Sequence, residues 1–594
     1  MARTVSNTYK SIMSKDYLPM THFRITFGIE APNAQGEAVF TTPLQAPWSD
    51  VEEINDENMP TSNYASCELN QYILGSGATL FPDNASEYVK DKFASVNTSN
   101  VECEYPSDKL PTINIQFTTL QTLAGLTFFF DSINKTYPTS MRITGLDGTT
   151  VKKTELCSPT GYNYISPSFE NIRALKIEIL KSNLPMARNI ISRIYFGIVK
   201  VFTEADAEKV EQTYSLSPIN NNLYKSEFKV ALDNFDLQYN IDNKQGIYTY
   251  LTEQQPIKIE YSMDGNEWIS SGEYLTSGKA KIQNNIATIE SIDQIQFMND
   301  QYKKDVYRTT PISLYNLAYA ILIDFGWELN DKGEYPFEID DSLKNITTLG
   351  TLPTTTYAEC LQIIASAGCV ALYVDDRGYI CLKPLPTTVA DTDYIIDFRQ
   401  SSTFPTPEEI EPLSQVDVTV HSYTVKATEE EIHKATYTVN GSTTLKIDYD
   451  FSTGQSATAV TGLTINSSRF YGRYCELDVT GTGTFEIIIK GKKIEDSTSV
   501  TSIINQEAGE VAPLDNPLIM DSARATVIGT FTKNYLKQRI RYTIPWVQDY
   551  RVNVGDLVKV KTQFSEQLLC RVVEIKTSEP AMVGTMKVVV MSGT

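Results

Sequence analysis

The sequence predicts a mainly β, multidomain protein that combines a β-sandwich, small β-barrel domains and a small α/β unit. Three observations carry that prediction. The chain has 594 residues, and at roughly 150 residues per domain this is about four domains. Thr, Asn, Tyr and Val are abundant while helical blocks of Ala, Leu, Glu and Lys are few, a balance that favours strands. Short alternating runs bounded by Asn, Gly, Pro and Asp recur along most of the chain. With 34 Tyr and 24 Phe there is ample surface to bury, so the chain reads as globular rather than disordered.

Residues 1–70 read as an N-terminal strand and loop region, with THFRITFGIE (Thr21–Glu30) alternating and the acidic stretch APWSDVEEINDENMPTSN forming a long loop. Residues 71–205 read as one β-sandwich, because INIQFTTL, LTFFFD, SMRITGLD and ALKIEIL alternate with turns at antiparallel spacing. Residues 206–300 hold six strand candidates in close succession, a density that suggests a small closed barrel. Asn284-Asn285, between KAKIQ and IATIE, is set for a tight hairpin.

The period changes at Pro311. Leu314, Leu317, Ala318 and Ile321 fall at helical spacing, with Ser313 as N-cap. A second helix follows Thr356 and Glu359, which form a capping box, and Gly368 is placed to end it. VALYVDDRGYICLKPL then reads as strand, turn at Asp375–Gly378, and strand, so 301–395 is a small α/β unit. Residues 396–510 are a β domain, with VDVTVHSYTV and TGTGTFEIIIKGKKIE alternating cleanly. Residues 511–594 are a helix after Asn516-Pro517 followed by strands, including VNVGDLVKVK and CRVVEIK.

The 51 basic and 73 acidic residues give a formal charge of −22. Such a chain does not bind nucleic acid through its overall field. Two readings stay open: solubility, or a surface that DNA passes without sticking. The first twenty residues carry basic groups but no apolar segment of a signal peptide, and the longest apolar runs, Leu126–Phe130 and Tyr319–Ile323, are too short to span a bilayer. The eight Cys show no CxxC and no regular spacing, and read as buried thiols of a chain folded in a reducing cytoplasm.

Groups for catalysis are few. His22, His421 and His433 are the histidines, and none stands in a metal-ligand spacing. His421 lies in an alternating strand and reads as structural or surface. No GxSxG elbow and no GxxxxGK[ST] phosphate loop is present. Paired carboxylates remain open, since nothing in linear order singles out a pair. The expectation is therefore no enzyme, with no catalytic, metal or cofactor residues and a binding surface left unassigned. The stretch LDNFDLQYNIDNKQGIYTYL (Leu232–Leu251) concentrates Asp and Asn, but Phe235 and Gln238 fall where a calcium loop starting at Asp233 needs an oxygen ligand and a glycine. Asp and Asn are also standard turn formers, and the turn reading is preferred.

The same stretch carries a resemblance. Phe228, Asp233-Asn234, Gly246-Ile247-Tyr248, Tyr250-Leu251 and Gln255-Pro256, then Trp268-Ile269, Gly272 and Tyr274-Leu275-Thr276, resemble a recurrent segment of tail-tip proteins in tailed phages of Gram-positive bacteria. Leu237-Gln238 departs from the Gly-Arg common there. GLTFFFDSINKTYPTSMRI and MARNIISRIYFG are similar to the discoidin-like sandwich embedded in such proteins. CLQIIASAGCVALYVDDRGYICLKPL resembles their helix–hairpin unit, and DNPLI followed by a helix and DYRVNVGDLVKV resembles their C-terminal segment. Residues 1–70 carry little of this.

The resemblance implies a structural virion protein: a baseplate hub that closes the tail tube, connects it to tip or receptor-binding components and lines the DNA exit path. It implies a homotrimer in which two barrel-like domains per chain imitate a six-fold ring, one within 206–300 and one within 396–594. It implies as partners a tail tube or distal tail protein, a tape measure protein and tip proteins, with DNA passing without specific binding. Localisation would be the virion tail, after synthesis in the bacterial cytoplasm. The alternative is a peripheral tail protein whose 71–205 sandwich binds host cell-wall glycan, with Tyr137, Tyr162 and Tyr164 stacking on sugar rings or serving as ordinary core and rim. A cell-wall hydrolase is a third reading, weakened by the scarcity of histidine and the missing motifs.

Overall fold

The computed structural model describes residues 3, 5–15, 19–30, 34, 37–46, 49–54, 92–123, 125–131, 135–243, 248, 251, 254–327, 329, 334–390, 394–397, 401, 403–459, 462–505, 508–565, 567–579 and 583–591. It is mainly β and divides into two compact units, Thr26–Val201 and the combination of Met1–Ile25 with Phe202–Thr594.

The Thr26–Val201 unit is a two-layer β-sandwich. One layer is five-stranded, in the order Val39–Thr41, Thr112–Leu123, Phe169–Ser182, Pro138–Asp147 and Thr150–Cys157. In the other, the strand Ile190–Thr203 pairs with Phe93–Ala94 and with Leu126–Phe130, and Asn163–Ile165 flanks the latter. The side chains that alternate inward, among them Ile113, Ile115, Phe128, Met141, Ile143, Ile177 and Ile194, form one core. Val39–Thr41 is an edge strand of this sandwich, and its pairing of Val39 with Gln116 is invisible in a three-residue run. ASCELNQYILGSG and Cys67 lie outside the described residues.

In the other unit, the strand Ala207–Ser215 pairs with Lys225–Asp233, which pairs with Ile286–Ile292. Ile269–Thr276 continues from there to Pro256–Ser262. The hairpin of Lys281–Gln283 with Ile286–Ile292 turns through Asn284 and Asn285, both at positive φ (50° and 63°), as a two-residue turn matched to strand twist requires. The candidate strand GIYTYL falls largely outside the described residues.

This module does not stand alone. Ala207–Ser215 also pairs with Leu568–Glu579, from Val210 against Glu579 to Ser215 against Glu574. The first half of Leu568–Glu579 pairs with Leu557–Val560, and its opposite edge with Val583–Val590, which in turn pairs with Ile540–Val547. A single strand therefore belongs to two antiparallel β modules.

The helices Leu314–Phe325 and Tyr357–Gly368 are capped by Ser313 and Thr356, the latter in a complete capping box with Glu359. The second helix closes one residue later than its glycine suggests: the left-handed position is Cys369, at φ 56°. Gly368 answers to packing instead, since a Cβ there would collide with Leu343 Cδ2. The 301–395 helices and strands share one core with the C-terminal strands, in which Leu317, Ile364 and Ile380 join Ile544, Trp546 and Val588.

Between these parts, the strand Tyr474–Ile504 runs through two sheets. Its first half lies between Glu430–Asp448 on one side and Ser452–Ala459 with Thr464–Phe470 on the other, around a core of Val439, Leu477, Ile487 and Ile489. Its second half pairs with Leu413–Val425, which also holds Glu510–Asp515 in parallel. The helix Ser522–Leu536 covers one face of that second sheet through Ala525 and Ile528. No helix among the described residues is long and apolar enough to cross a membrane.

Candidate functional site

A cavity of ≈ 240 Å³ is built from three distant pieces of chain: the N-terminal segment, Val389, Ala390 and Tyr394, and residues between Arg551 and Val558. The N-terminal helix Asn7–Met13 starts at Ser6, whose hydroxyl accepts from the Tyr9 amide and whose own amide donates to Glu267 at 2.7 Å. Arg3 runs along the wall, its amide donating to the Arg551 carbonyl (3.1 Å) and its guanidinium to the Tyr550 carbonyl (3.0 Å). Arg551 grips the wholly buried Asp549 at 2.7 Å and lies 4.3 Å over the Tyr394 ring. Asp549 also accepts from the Tyr9 hydroxyl and the Arg551 amide. A buried charge needs such multiple partners. Val552, Leu557 and Val558 give the wall its apolar part, and Lys10 and Asp556 also line it.

Behind the cavity runs a chain of buried phenols. Tyr550 stacks on Tyr261 at 4.2 Å and donates to Glu579 at 2.6 Å. Tyr261 donates to Gln212, whose amide donates to the Tyr274 hydroxyl. Burial pushes the phenols of Tyr9, Tyr261, Tyr274 and Tyr550 well above their ordinary value, so they are neutral donors. Burial likewise pushes Asp293 up to about 6, against hydrogen bonds from Gln296 and Ser226; this carboxyl caps the helical turn Gln294–Phe297.

The three histidines contact carboxylates or a phenol. His22 Nδ1 is 2.5 Å from Glu204, and His433 Nε2 is 2.8 Å from the Tyr437 hydroxyl. His421 lies between Asp496 (2.8 Å) and Asp515 (2.7 Å). Among the described residues, no three or more His, Cys, Asp and Glu side chains gather as a metal site. The described cysteines are free thiols, with Cys103 and Cys369 half-buried and the rest buried. Burial pushes Cys475 and Cys570 up to about 12.

In the Asp- and Asn-rich stretch, side-chain oxygens are engaged by the backbone. Asp233 accepts from the Phe235 amide (2.9 Å), Asp236 from Gln238 (3.2 Å) and Asn234 from Tyr239 (3.0 Å). The bonds at Asp233 and Asp236 are Asx turns, the bond at Asn234 spans five residues, and the departure at Leu237 has a visible form, since Leu237 sits at φ 58°. Gly246, Ile247 and Tyr250 lie outside the described residues. In the sandwich, Tyr137 packs against the core and edge-on to Tyr162 (5.5 Å), and Tyr164 packs against the core beside Phe128.

Arg551 lies in the DYRVNVGDLVKV segment, but Arg3 and Tyr394 stand in no motif, and only the tertiary structure brings the three together.

No family model matches the chain, and no curated protein does. Among solved structures it is similar to the 43 kDa tail protein of prophage MuSo2 from Shewanella oneidensis, at 11% identity and TM-score 0.35, covering 66% of this chain and 95% of that one. Prophage tail protein gp18 from Listeria monocytogenes gives 10% identity and TM-score 0.34 over 66% of this chain and 91% of that one. A tail protein from Neisseria meningitidis gives 8% identity and TM-score 0.34 over 66% and 93%. Likeness at this level is too slight to assign this chain a fold or a role.

Proposed function

We propose that this chain is a structural protein of a phage tail tip: a baseplate hub, present as a homotrimer, that closes the tail tube and lines the DNA exit path. The observation that carries the reading is the strand Leu568–Glu579, which belongs at once to the module of Ala207–Ser215 and to that of Val583–Val590. Two antiparallel β modules joined through one strand move as one body, which suits two positions in a ring of six made from three chains. The tail-tip motifs lie in this same unit, at Phe228, Gly272, Tyr274 and the 549–560 segment.

The formal charge of −22 supports the passage of DNA without adhesion, because an acidic wall repels phosphate within the Debye length. The partners in this reading are a tail tube or distal tail protein, a tape measure protein and tip or receptor-binding proteins. No catalytic step is part of it. The test is cryo-electron microscopy of the purified particle. Three copies around the tail axis are expected. Peripheral copies would overturn the hub and favour the glycan-binding sandwich, and absence from every particle would overturn a virion role altogether.

A further inference from the structure

The stretch 232–243 presents apolar side chains to solvent: Phe235 is 74% exposed, Ile241 67% and Leu237 47%. Three exposed apolar residues on one short segment are a contact surface rather than scattered exposure. The backbone that carries them is held firmly. Asx turns at Asp233 and Asp236 and the bond from the Tyr239 amide to Asn234 fix it, Asn234 and Tyr239 are buried beneath it, and Asn234 Nδ2 donates to Asn240 at 2.9 Å. A preordered loop loses little freedom when it binds.

We infer that this loop docks, Phe235 foremost, into the cavity lined by Arg3, Lys10 and Arg551 on a second copy of the same chain. Size and charge both match. The cavity's ≈ 240 Å³ is below the roughly 300–1,000 Å³ of small-molecule sites, yet exceeds the roughly 150 Å³ that accepts a benzene ring. Its apolar walls, Val552, Leu557 and Val558, suit a phenyl group. Its charged lining is Arg3, Lys10 and Arg551 against Asp556, with Asp549 beneath balancing Arg551. The loop brings Asp233, Asp236 and Asp242 and no Lys or Arg between 232 and 243.

The loop and the cavity residue Leu557 lie toward opposite ends of one strand, Ala207–Ser215. The loop starts at the Ala207 end of the strand Ala207–Ser215, where Ala207 pairs with Leu232. The other end pairs with Glu574, and the cavity residue Leu557 pairs beyond it with Arg571. At roughly 3.3 Å per residue that strand alone is on the order of 25 Å long. A loop of one copy seated in the cavity of another makes a head-to-tail contact, which closes into a ring or grows as a filament. The contact rests on the proposed hub only for its closure at three copies.

The test uses the full chain in solution. Sedimentation of the parent is expected to show concentration-dependent association. Phe235→Asp, and Ala390→Trp at the cavity mouth, should each weaken it at least tenfold, while circular dichroism and Tm stay unchanged because both positions are exposed. Mixing a Phe235→Cys chain with an Ala390→Cys chain should give a disulfide-linked heterodimer that neither chain forms alone. A parent that is monomeric at all concentrations, or association that both single variants leave intact, would overturn the inference. Intact trimers from both variants would sink this contact and spare the hub. Peripheral copies in the particle, with the cross-link still formed, would sink the hub and spare the contact.

Discussion

His421 Nε2 lies 2.7 Å from Asp515 Oδ1, and its other ring nitrogen lies 2.8 Å from Asp496. The ring joins two strands that flank its own, because His421 stands on Leu413–Val425, Asp496 on Tyr474–Ile504 and Asp515 on Glu510–Asp515. Both nitrogens face carboxylate oxygens, so the doubly protonated ring satisfies the site. Burial works against that charge, but the hydrogen bonds and charges of Asp496 and Asp515 outweigh it, and the pKa is raised.

A group whose folded pKa is raised contributes stability that is fully present below its unfolded value, about 6.5 for His, and lost as pH rises through the folded pKa. The sheet formed by these three strands should therefore weaken as pH climbs above about 6.5. Hydrogen exchange of residues 510–515 should quicken from pH 6 to pH 8.5 beyond the intrinsic rate change, and His421→Gln should abolish that excess. Equal excess in parent and variant would refute the assignment. His421→Ala should cost on the order of 1–3 kcal/mol at pH 6.

Arg551 is the main counter-charge of a carboxylate with no exposure, Asp549. Arg551→Ala leaves that charge buried and uncompensated, with an expected cost of about 3–5 kcal/mol. Urea unfolding of parent, Arg551→Ala and the double variant Arg551→Ala with Asp549→Asn checks this. The double variant should recover part of the loss, because it removes the stranded charge.

Gly350 has no room for a side chain. A Cβ there would meet the Pro517 carbonyl and lie 2.7 Å from Leu518 Cα. Both neighbours are backbone, so no rotamer change relieves the clash. Gly350→Ala is expected to cost at least the ~1–3 kcal/mol of ordinary overpacking, while Gly278→Ala, where a Cβ meets nothing within 4 Å, serves as the mild control. A Tm for Gly350→Ala equal to that of the control would contradict the packing argument.

The hairpin at Asn284-Asn285 makes a prediction of opposite sign. Both residues are left-handed, a conformation that Asn tolerates and Gly accepts freely. Asn285→Gly should leave Tm unchanged or slightly higher, and Asn285→Val should lower stability by about 1–2 kcal/mol. Thermal melts of the two variants decide it.

Much of this protein is written locally. The Asn284-Asn285 hairpin, the Ser313 cap, the Thr356–Glu359 capping box and the Asx turns at Asp233 and Asp236 follow from short-range hydrogen bonding and sterics, and each stands in the structure where the residues place it. The mainly β class follows as well, because period-two alternation sets which side chains turn inward. At Gly368 the same local reasoning chose the wrong cause: the residue is small because Leu343 packs on it, and Cys369 takes the left-handed turn. Tertiary structure alone decided that Ala207–Ser215 pairs with Leu568–Glu579, that Val39–Thr41 edges the sandwich, and that Arg3, Tyr394 and Arg551 line one cavity. The physical reason is that backbone hydrogen bonds are the same for every residue. A strand's sequence encodes which face is buried, but its partner is selected by the packing of the whole core.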